Sequence, residues 1–440
     1  MTVNVAEKEN TLLFKVEYLV PKNEVAVTHS PKQAASLLAQ SILADSLANV
    51  TWHIKSPVLF TTDKSADEST VVGDNVSELQ PFHNRLINEV AQFSQFLFSD
   101  NTSKTQPQLV ALAFWCRKSN LQAINADFKT LDNAGNRKPI GKVFHIAPAN
   151  VDTVFFYSLL LSVLSGNSNI VRISERSGAL CRQLLTLFQQ FLVAKQPKLL
   201  PALVSIVEYS ATENKITSAC SQWCDLRIIW GGDSAIAAIS AIAPSTKQLC
   251  FPDRFSIALC QLNEDDDIEK VAQAFVADFL PFNQQACSSP KALYWLNTAK
   301  ALQQHFYCKL NQHLAAHQQQ FSLSEQVERQ VNLQQLLLIC DNHISDKIFN
   351  SQFTQVQLKD LYAAHLIAHQ GNGLLLTEDI NDINQLPFDK KLQTVNQYGL
   401  KQQQVDAISE RACKRITSFG QALTFSHIWD GVNLLKILST

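Results

Sequence analysis

From residue 141 onward, short apolar runs alternate with longer stretches of helical period. Gly141-Lys142-Val143-Phe144-His145-Ile146-Ala147 has the length and apolar content of a strand. Residues 152–164 carry the continuous apolar pattern of a buried helix, and Asn169-Ile170-Val171-Arg172-Ile173 is a second strand. Gly166-Asn167 between them stops the helix, because glycine enters the left-handed conformation that ends helices. Strand, helix and strand in this order make one βαβ unit. The series continues with a helix over 178–194, a short strand over 203–209, and Leu226-Arg227-Ile228-Ile229-Trp230 running into Gly231-Gly232-Asp233 and another helix. The pattern predicts an α/β fold with a mainly parallel, doubly wound sheet. Residues 255–260 read as its next strand. An acidic run at 263–267 follows as a solvated loop and helix start, and there the chain enters a second domain.

Composition narrows the function classes. The chain has 440 residues, 46% hydrophobic and 17% charged, enough to bury a large core and divide into two or three domains. A net charge of −2 provides no broad basic field, which argues against a nucleic-acid partner. Ten cysteines, spread thinly, suggest free thiols in a reducing compartment, with the cytoplasm as the expected location. The first ten residues lack a basic segment followed by an apolar one, so no export signal is expected and Asn49-Val50-Thr51 is incidental as a glycosylation sequence. The longest apolar run, 151–164, is broken by Asp152, Thr153, Ser158 and Ser162. It falls short of the roughly 18 residues that a membrane span needs.

Four places carry candidate chemistry. In Gln285-Ala286-Cys287-Ser288-Ser289-Pro290 an apolar segment gives way to small and polar residues that present a thiol on a turn, making Cys287 the candidate nucleophile; a cysteine inside a hydrophobic period would read as core. Gly231-Gly232 let the backbone turn sharply after a strand, and Asp233 caps a helix whose N-terminal amides attract phosphate, although such turns also serve packing alone. Arg172, at the C-terminal end of a parallel strand, would overhang the crevice where open α/β sheets take nucleotides. Asn150 follows a strand, where its amide either caps a helix or, with Cys287 nearby, donates to an oxyanion. Two histidine pairs, His313/His317 and His365/His369, have the spacing of one helix face, but neither carries the glutamate of a zinc protease, and no metal site is expected. Cys220 and Cys224 are read as core packing.

These residues, in this order, together with Pro148-Ala149-Asn150, residues 169–174, Asp253-Arg254-Phe255-Ser256, Leu392-Gln393-Thr394-Val395 and Trp429-Asp430-Gly431, resemble the LuxC-like acyl-CoA reductases of the aldehyde dehydrogenase superfamily. The resemblance runs from about residue 110 to 435. It implies an aldehyde dehydrogenase-like fold, with residues 1–258 as N-terminal region and dinucleotide-binding domain, 259–425 as a second α/β catalytic domain, and 426–440 as a C-terminal segment. It further implies Cys287 as nucleophile and Asn150 as the side chain polarising the acyl oxygen. Arg172, Ser174, Gly231, Gly232 and Asp233 would lie along the cofactor, with NADPH expected and NADH possible. Where hydrolytic aldehyde dehydrogenases carry a glutamate base, this chain has Cys250-Phe251-Pro252-Asp253, which favours reduction of an acyl thioester over oxidation of an aldehyde. The implied donors are a fatty acyl-CoA or acyl-protein, with an acyl-transferring partner enzyme and a homo-oligomeric assembly. An oxidative aldehyde dehydrogenase, a cysteine acyltransferase or thioesterase without nicotinamide, and a silent scaffold of the same fold are the alternatives.

Overall fold

The computed structural model describes residues 3–8, 11–16, 43, 46–47, 50–56, 79–148, 153–316, 321–340, 344–349, 353–411 and 414–440. Asn150, His317 and the glutamine run at 318–320 lie outside them. Strands β1 (Val3–Lys8) and β2 (Thr11–Val16) pair as an antiparallel hairpin.

The first sheet holds β3 (Thr51–Ile54), β4 (Lys142–Ile146), β5 (Ser168–Ile173), β6 (Val204–Glu208), β7 (Leu226–Trp230) and β8 (Gln248–Phe251), in the order β3-β6-β5-β4-β7-β8. All neighbours run parallel except the edge pair β3–β6. β4, β5 and β7 are buried along almost their whole length, because helices cover both faces of the sheet. The helix Val154–Leu164 is buried at every residue after the first, having the sheet on one side and the helix Asn84–Ser99 on the other. Phe93 meets Phe156 across that contact with ring centroids 5.6 Å apart. Gly166 ends the helix as expected: at φ +83° its N–H donates to Val163 O (2.8 Å) while Asn167 N–H reaches back to Ser162 O (3.1 Å). Both bonds of the glycine-terminated helix stop are therefore present.

The second sheet holds β9 (Phe255–Cys260), β10 (Pro290–Leu296), β11 (Ile344–Phe349), β12 (Thr354–Leu358), β13 (Leu374–Ile380), β14 (Leu392–Tyr398) and β15 (Arg415–Ser418), in the order β11-β12-β13-β10-β9-β14-β15. Only β11 runs antiparallel. This corrects the expected division at residue 258. β9 pairs with β10 and β14, so it is a central strand of the second sheet, and the crossing between sheets is Pro252-Asp253-Arg254. A wholly buried strand cannot announce its partners, since both sheets bury their centres alike. The last segment also departs from a simple appendix. Trp429, Leu434, Leu435 and Leu438 join the core of the first sheet, and Asn167 Nδ2 donates to Leu438 O at 2.9 Å.

His365 and His369 do not share a helix face. The helix Ala363–Ala368 ends before His369, whose backbone is extended. Gly371 N–H donates to His369 Nδ1 (3.0 Å), leaving Nε2 to donate to Leu374 O (2.8 Å), and burial pushes this imidazole down to about 3. It is a neutral structural group. Cys220 is buried in an apolar cluster, and no helix among the described residues is long and apolar enough to cross a membrane.

Candidate active site

Cys287 stands on the loop that enters β10, at the N-terminal edge of the second sheet and facing the first. The loop is built against steric preference: Phe282, Asn283 and Gln284 all have positive φ (55°, 53° and 62°), a region that non-glycine residues seldom enter. Gln284 makes this tolerable. Its buried amide donates to Pro290 O (2.9 Å) and Leu374 O (2.8 Å) and accepts from Gly373 N–H (3.1 Å), tying the loop to both β10 and β13. Gly371 closes in from the other side, where a Cβ would stand 2.9 Å from the carbonyl oxygens of Asn283 and Gln284. Ser256, on β9, donates to Cys287 O (2.6 Å) and accepts from Thr394 N–H (3.2 Å), joining the cysteine loop to β14. Gln284 and Ser256 were missed as positioning groups. Their signal was proximity to Cys287 and to the crossing segment, without any residue type peculiar to catalysis.

Two cavities meet at Cys287. The larger, about 540 Å³, lies between the sheets, and Gly231, Gly232 and Cys287 share its wall. Aromatic rings form much of the rest. Phe251 stacks on Trp230 at 3.9 Å, Trp429 on Phe425 at 4.9 Å and Phe425 on Tyr157 at 4.9 Å, with Trp115 edge-on to Tyr157 at 5.4 Å. The smaller cavity, about 320 Å³, is polar, and Cys287 and Asp253 are the residues common to both. Enclosure raises the Cys287 thiol above its ordinary value even though the residue as a whole is only half-buried; a hydrogen bond from the Arg254 backbone and the charge of Lys291 pull the other way.

The remaining candidates divide. At Gly232 a Cβ would meet Asp253 Oδ2 at 2.9 Å, so only glycine leaves the carboxylate in place. Asp233 begins the helix Asp233–Ile242 and is held by Lys391 at 2.7 Å, which lowers its pKa. Arg172 lies near the C-terminal end of β5. It is buried, folds toward Tyr209 and donates to Tyr209 O at 3.0 Å, while its Nε has no hydrogen-bond partner among the described residues. Ser174 Oγ accepts from Arg176 N–H (3.2 Å), and neither Arg172 nor Ser174 lines the two cavities. Pro148 and Thr153, on either side of the segment with Asn150, line the larger one. No group of three or more potential metal ligands occurs among the described residues.

Residues 108–339 match the family model described as acyl-CoA reductase (LuxC). This chain belongs to that family. The matched span contains Cys287 and the Gly231-Gly232-Asp233 turn, whereas the resemblance read at 392–395 and 429–431 falls beyond it. Among curated relatives of this LuxC-family chain, the long-chain acyl-protein thioester reductase of Aliivibrio fischeri is 20% identical over 269 residues, covering 58% of this chain and 55% of that one. Long-chain acyl-protein thioester reductase 2 of Photobacterium leiognathi is 28% identical over 160 residues, 36% of this chain and 32% of that one. The chain thus spans about half of the first relative and a third of the second. Solved aldehyde dehydrogenases share the fold. Lactaldehyde dehydrogenase from Escherichia coli superposes with a TM-score of 0.56 at 12% identity, over 81% of this chain and 85% of that one. An NAD-dependent benzaldehyde dehydrogenase from Corynebacterium glutamicum gives 0.56 at 11%, over 93% and 88%.

Proposed function

We propose that this protein reduces a long-chain fatty acyl thioester to the aldehyde through an acyl-enzyme on Cys287, with NADPH as the reductant. The observation that carries the reading is the shared wall: the thiol, the Gly231–Gly232 turn and an aromatic-paved cavity meet in one 540 Å³ space. Cavities of this size and apolar character bury a substantial hydrophobic ligand.

The residues fit a dinucleotide. The Gly232 cradle, closed to any Cβ by Asp253, and the orphaned Arg172 Nε at the C-terminal end of β5 are features that a phosphate-bearing cofactor along the first sheet would use. Arg172, Ser174, Gly231, Gly232 and Asp233 would hold it, and when bound it supplies hydride to the acyl carbon. An arginine near the ribose suits the 2′-phosphate of NADPH.

Cys287 attacks the acyl carbon as thiolate and retains the acyl group as a thioester. Its backbone N–H and the Asn150 amide hold the tetrahedral oxyanion; losing one such donor costs on the order of 3 kcal/mol. Once the carbonyl is reduced, the thiohemiacetal on Cys287 collapses to aldehyde and free thiol. Among the described residues the carboxylates in the large cavity's wall are Asp253 and Asp430, and Asp430 is held by Arg254 at 3.0 Å. No glutamate among the described residues lines either cavity, which favours reduction over the water-activating, acid-forming direction.

The test is intact-mass analysis after exposure to long-chain acyl-CoA without reductant, followed by NADPH. Cys287 should carry the acyl mass and then lose it as aldehyde appears, and Cys287→Ala should lower aldehyde formation by roughly 10³-fold or more. Acid in place of aldehyde, or an unmodified Cys287, would overturn the reading.

A further inference from the structure

The smaller cavity raises a separate question, because Cys287 is in its wall as well. Arg254, Lys291 and Lys391 face it against one carboxylate, Asp253, with the amides of Gln285 and Gln370 beside them. Two of the cations are already paired, Arg254 with Asp430 at 3.0 Å and Lys391 with Asp233 at 2.7 Å. Lys291 is different: its Nζ donates to His369 O (2.7 Å) and Leu366 O (3.3 Å) and makes no ion pair with a carboxylate among the described residues. His369, in the same wall, is neutral and offers no counter-charge. Enclosing an ammonium whose direct hydrogen-bond partners are carbonyls, with Asp253 the one carboxylate in the same wall, is unfavourable. The arrangement becomes favourable when an anion forms next to it.

Such an anion forms at the sulfur. If the acyl chain occupies the apolar cavity, the carbonyl carbon lies at Cys287, and the donor's other substituent must diverge from it in a different direction. The polar cavity is the second space that opens at that residue. We propose that it receives the amide-rich, phosphate-bearing arm of the donor thiol, with Lys291 as counter-charge to the sulfur at both ends of acyl transfer. The inference rests on the acyl-enzyme reading above.

In that transfer the bond from Cys287 Sγ to the acyl carbon forms, the donor's C–S bond breaks, and its electron pair leaves on the donor sulfur. That sulfur takes up a proton equivalent to the one Cys287 gave to solvent, so the exchange of thioester for thioester is balanced. Lys291 keeps its own proton throughout. It faces a thiolate first on Cys287 and then on the departing arm, and is a positioning residue for both. The side-chain amide of Gln285 suits the amide groups of such an arm.

Phosphate could also come from the dinucleotide, and the experiment separates the two sources. Acylation of Cys287 is followed by quenched-flow mass spectrometry without reductant, using a long-chain acyl-CoA and the same acyl group on N-acetylcysteamine, which has no phosphate. Gln370→Glu and Ile367→Glu each place a negative charge at an exposed position on the cavity rim. Either should raise the half-saturating acyl-CoA concentration about tenfold while leaving the N-acetylcysteamine value within about twofold. Lys291→Met should move the midpoint of the acylation pH profile up by about one unit for both donors, and Lys291→Arg should restore it. Rim variants that act equally on both donors, or a Lys291→Met profile that does not move, overturn the assignment. Weakened NADPH binding with unchanged acyl-CoA saturation would give the cavity to the dinucleotide and overturn it too. If wild-type Cys287 accepts no acyl group from either donor, the acyl-enzyme reading itself fails, a result distinct from acylation that ignores the rim charges.

Discussion

At the scale of single residues, the site depends on what a side chain excludes as much as on what it supplies. Gly232 is the clearest case. An added methyl group would meet Asp253 Oδ2 at 2.9 Å, and since that atom ends a short side chain at the cavity wall, it would be pushed aside with the backbone intact. Gly232→Ala should therefore leave the thermal midpoint within a few degrees of wild type, equivalent to about 1 kcal/mol or less, while weakening NADPH binding measured by fluorescence titration. A large loss of stability with unchanged cofactor affinity would contradict that placement. Cys287 and Gly232 were legible in the sequence because each breaks a local pattern, a thiol leaving a hydrophobic run and a glycine pair after a strand. Lys291 and Gln284 were not. One is a lysine two residues after a serine, the other one of two adjacent glutamines, and their meaning comes only from the carbonyls that the segment 366–374 brings to them.

At the scale of elements, the loop after β15 shows how a cavity wall is held in place. Asp278, at the end of the helix Ile268–Phe279, accepts from Gly420 N–H (2.7 Å) and Ala422 N–H (2.8 Å), while Arg415 donates to Ala422 O (3.1 Å) and Thr424 O (2.8 Å). Gly420, Thr424 and Phe425 of that loop line the large cavity. Burial raises Asp278 to about 7 against the opposing pull of its two backbone donors, and it raises Glu378 to about 7 as well. Both folded values lie above the ordinary ones of 3.8 and 4.5, so the folded state binds the extra protons. Their contribution to stability is complete below about pH 4 and is lost as pH rises through about 7, with a slope of at most about 1.4 kcal/mol per unit for each group. Asp278→Asn should be less stable at pH 5, because an amide cannot accept at both positions, yet show a shallower decline in urea midpoint between pH 5 and 8. Parallel pH profiles for variant and wild type would remove Asp278 from this account. A second element-scale expectation concerns Gly399, at φ +76°, which ends β14 where a Cβ would stand 2.0 Å from the backbone oxygen of Gln261. Nothing flexible can yield there. Gly399→Ala should cost more than the 1–2 kcal/mol of a left-handed residue alone, read from the same denaturation experiment.

For the whole molecule, the decisive feature is how the two sheets are fastened around the thiol. The alternation of strands and helices made four of the first sheet's six strands legible, β4, β5, β6 and β7, since a βαβ series leaves few topologies open, while β3 and β8 went unread. The sheet to which β9 belongs, and the return of the last residues to the first core, were hidden, because a buried strand or helix carries the same apolar signature wherever it docks. Arg254, in the crossing segment, and Asp430, in the returning one, make the link that sequence could not show: Nε lies 3.0 Å and 3.3 Å from the two carboxylate oxygens, and Arg254 also donates to Lys390 O at 3.2 Å. The Asp430 side chain is only 6% exposed, so removing its charge leaves an arginine facing a neutral group in a largely dry setting. Asp430 also sits at φ +49°, a conformation that asparagine tolerates as well as aspartate does, so Asp430→Asn tests the charge without straining the backbone. The partial exposure of Arg254 and its second acceptor place the expected cost near the low end of the roughly 3–5 kcal/mol for a broken buried pair. Its Trp neighbours make the effect visible: Trp230 and Trp429 lie in the first core and Trp295 in the second. If the pair fastens the two parts, urea unfolding of Asp430→Asn should begin earlier in the fluorescence of a Trp295→Phe background, which reports the first core, than by far-UV circular dichroism, which reports both. Coincident curves with an unchanged midpoint would mean that the aromatic packing around the large cavity holds the sheets together without the ion pair.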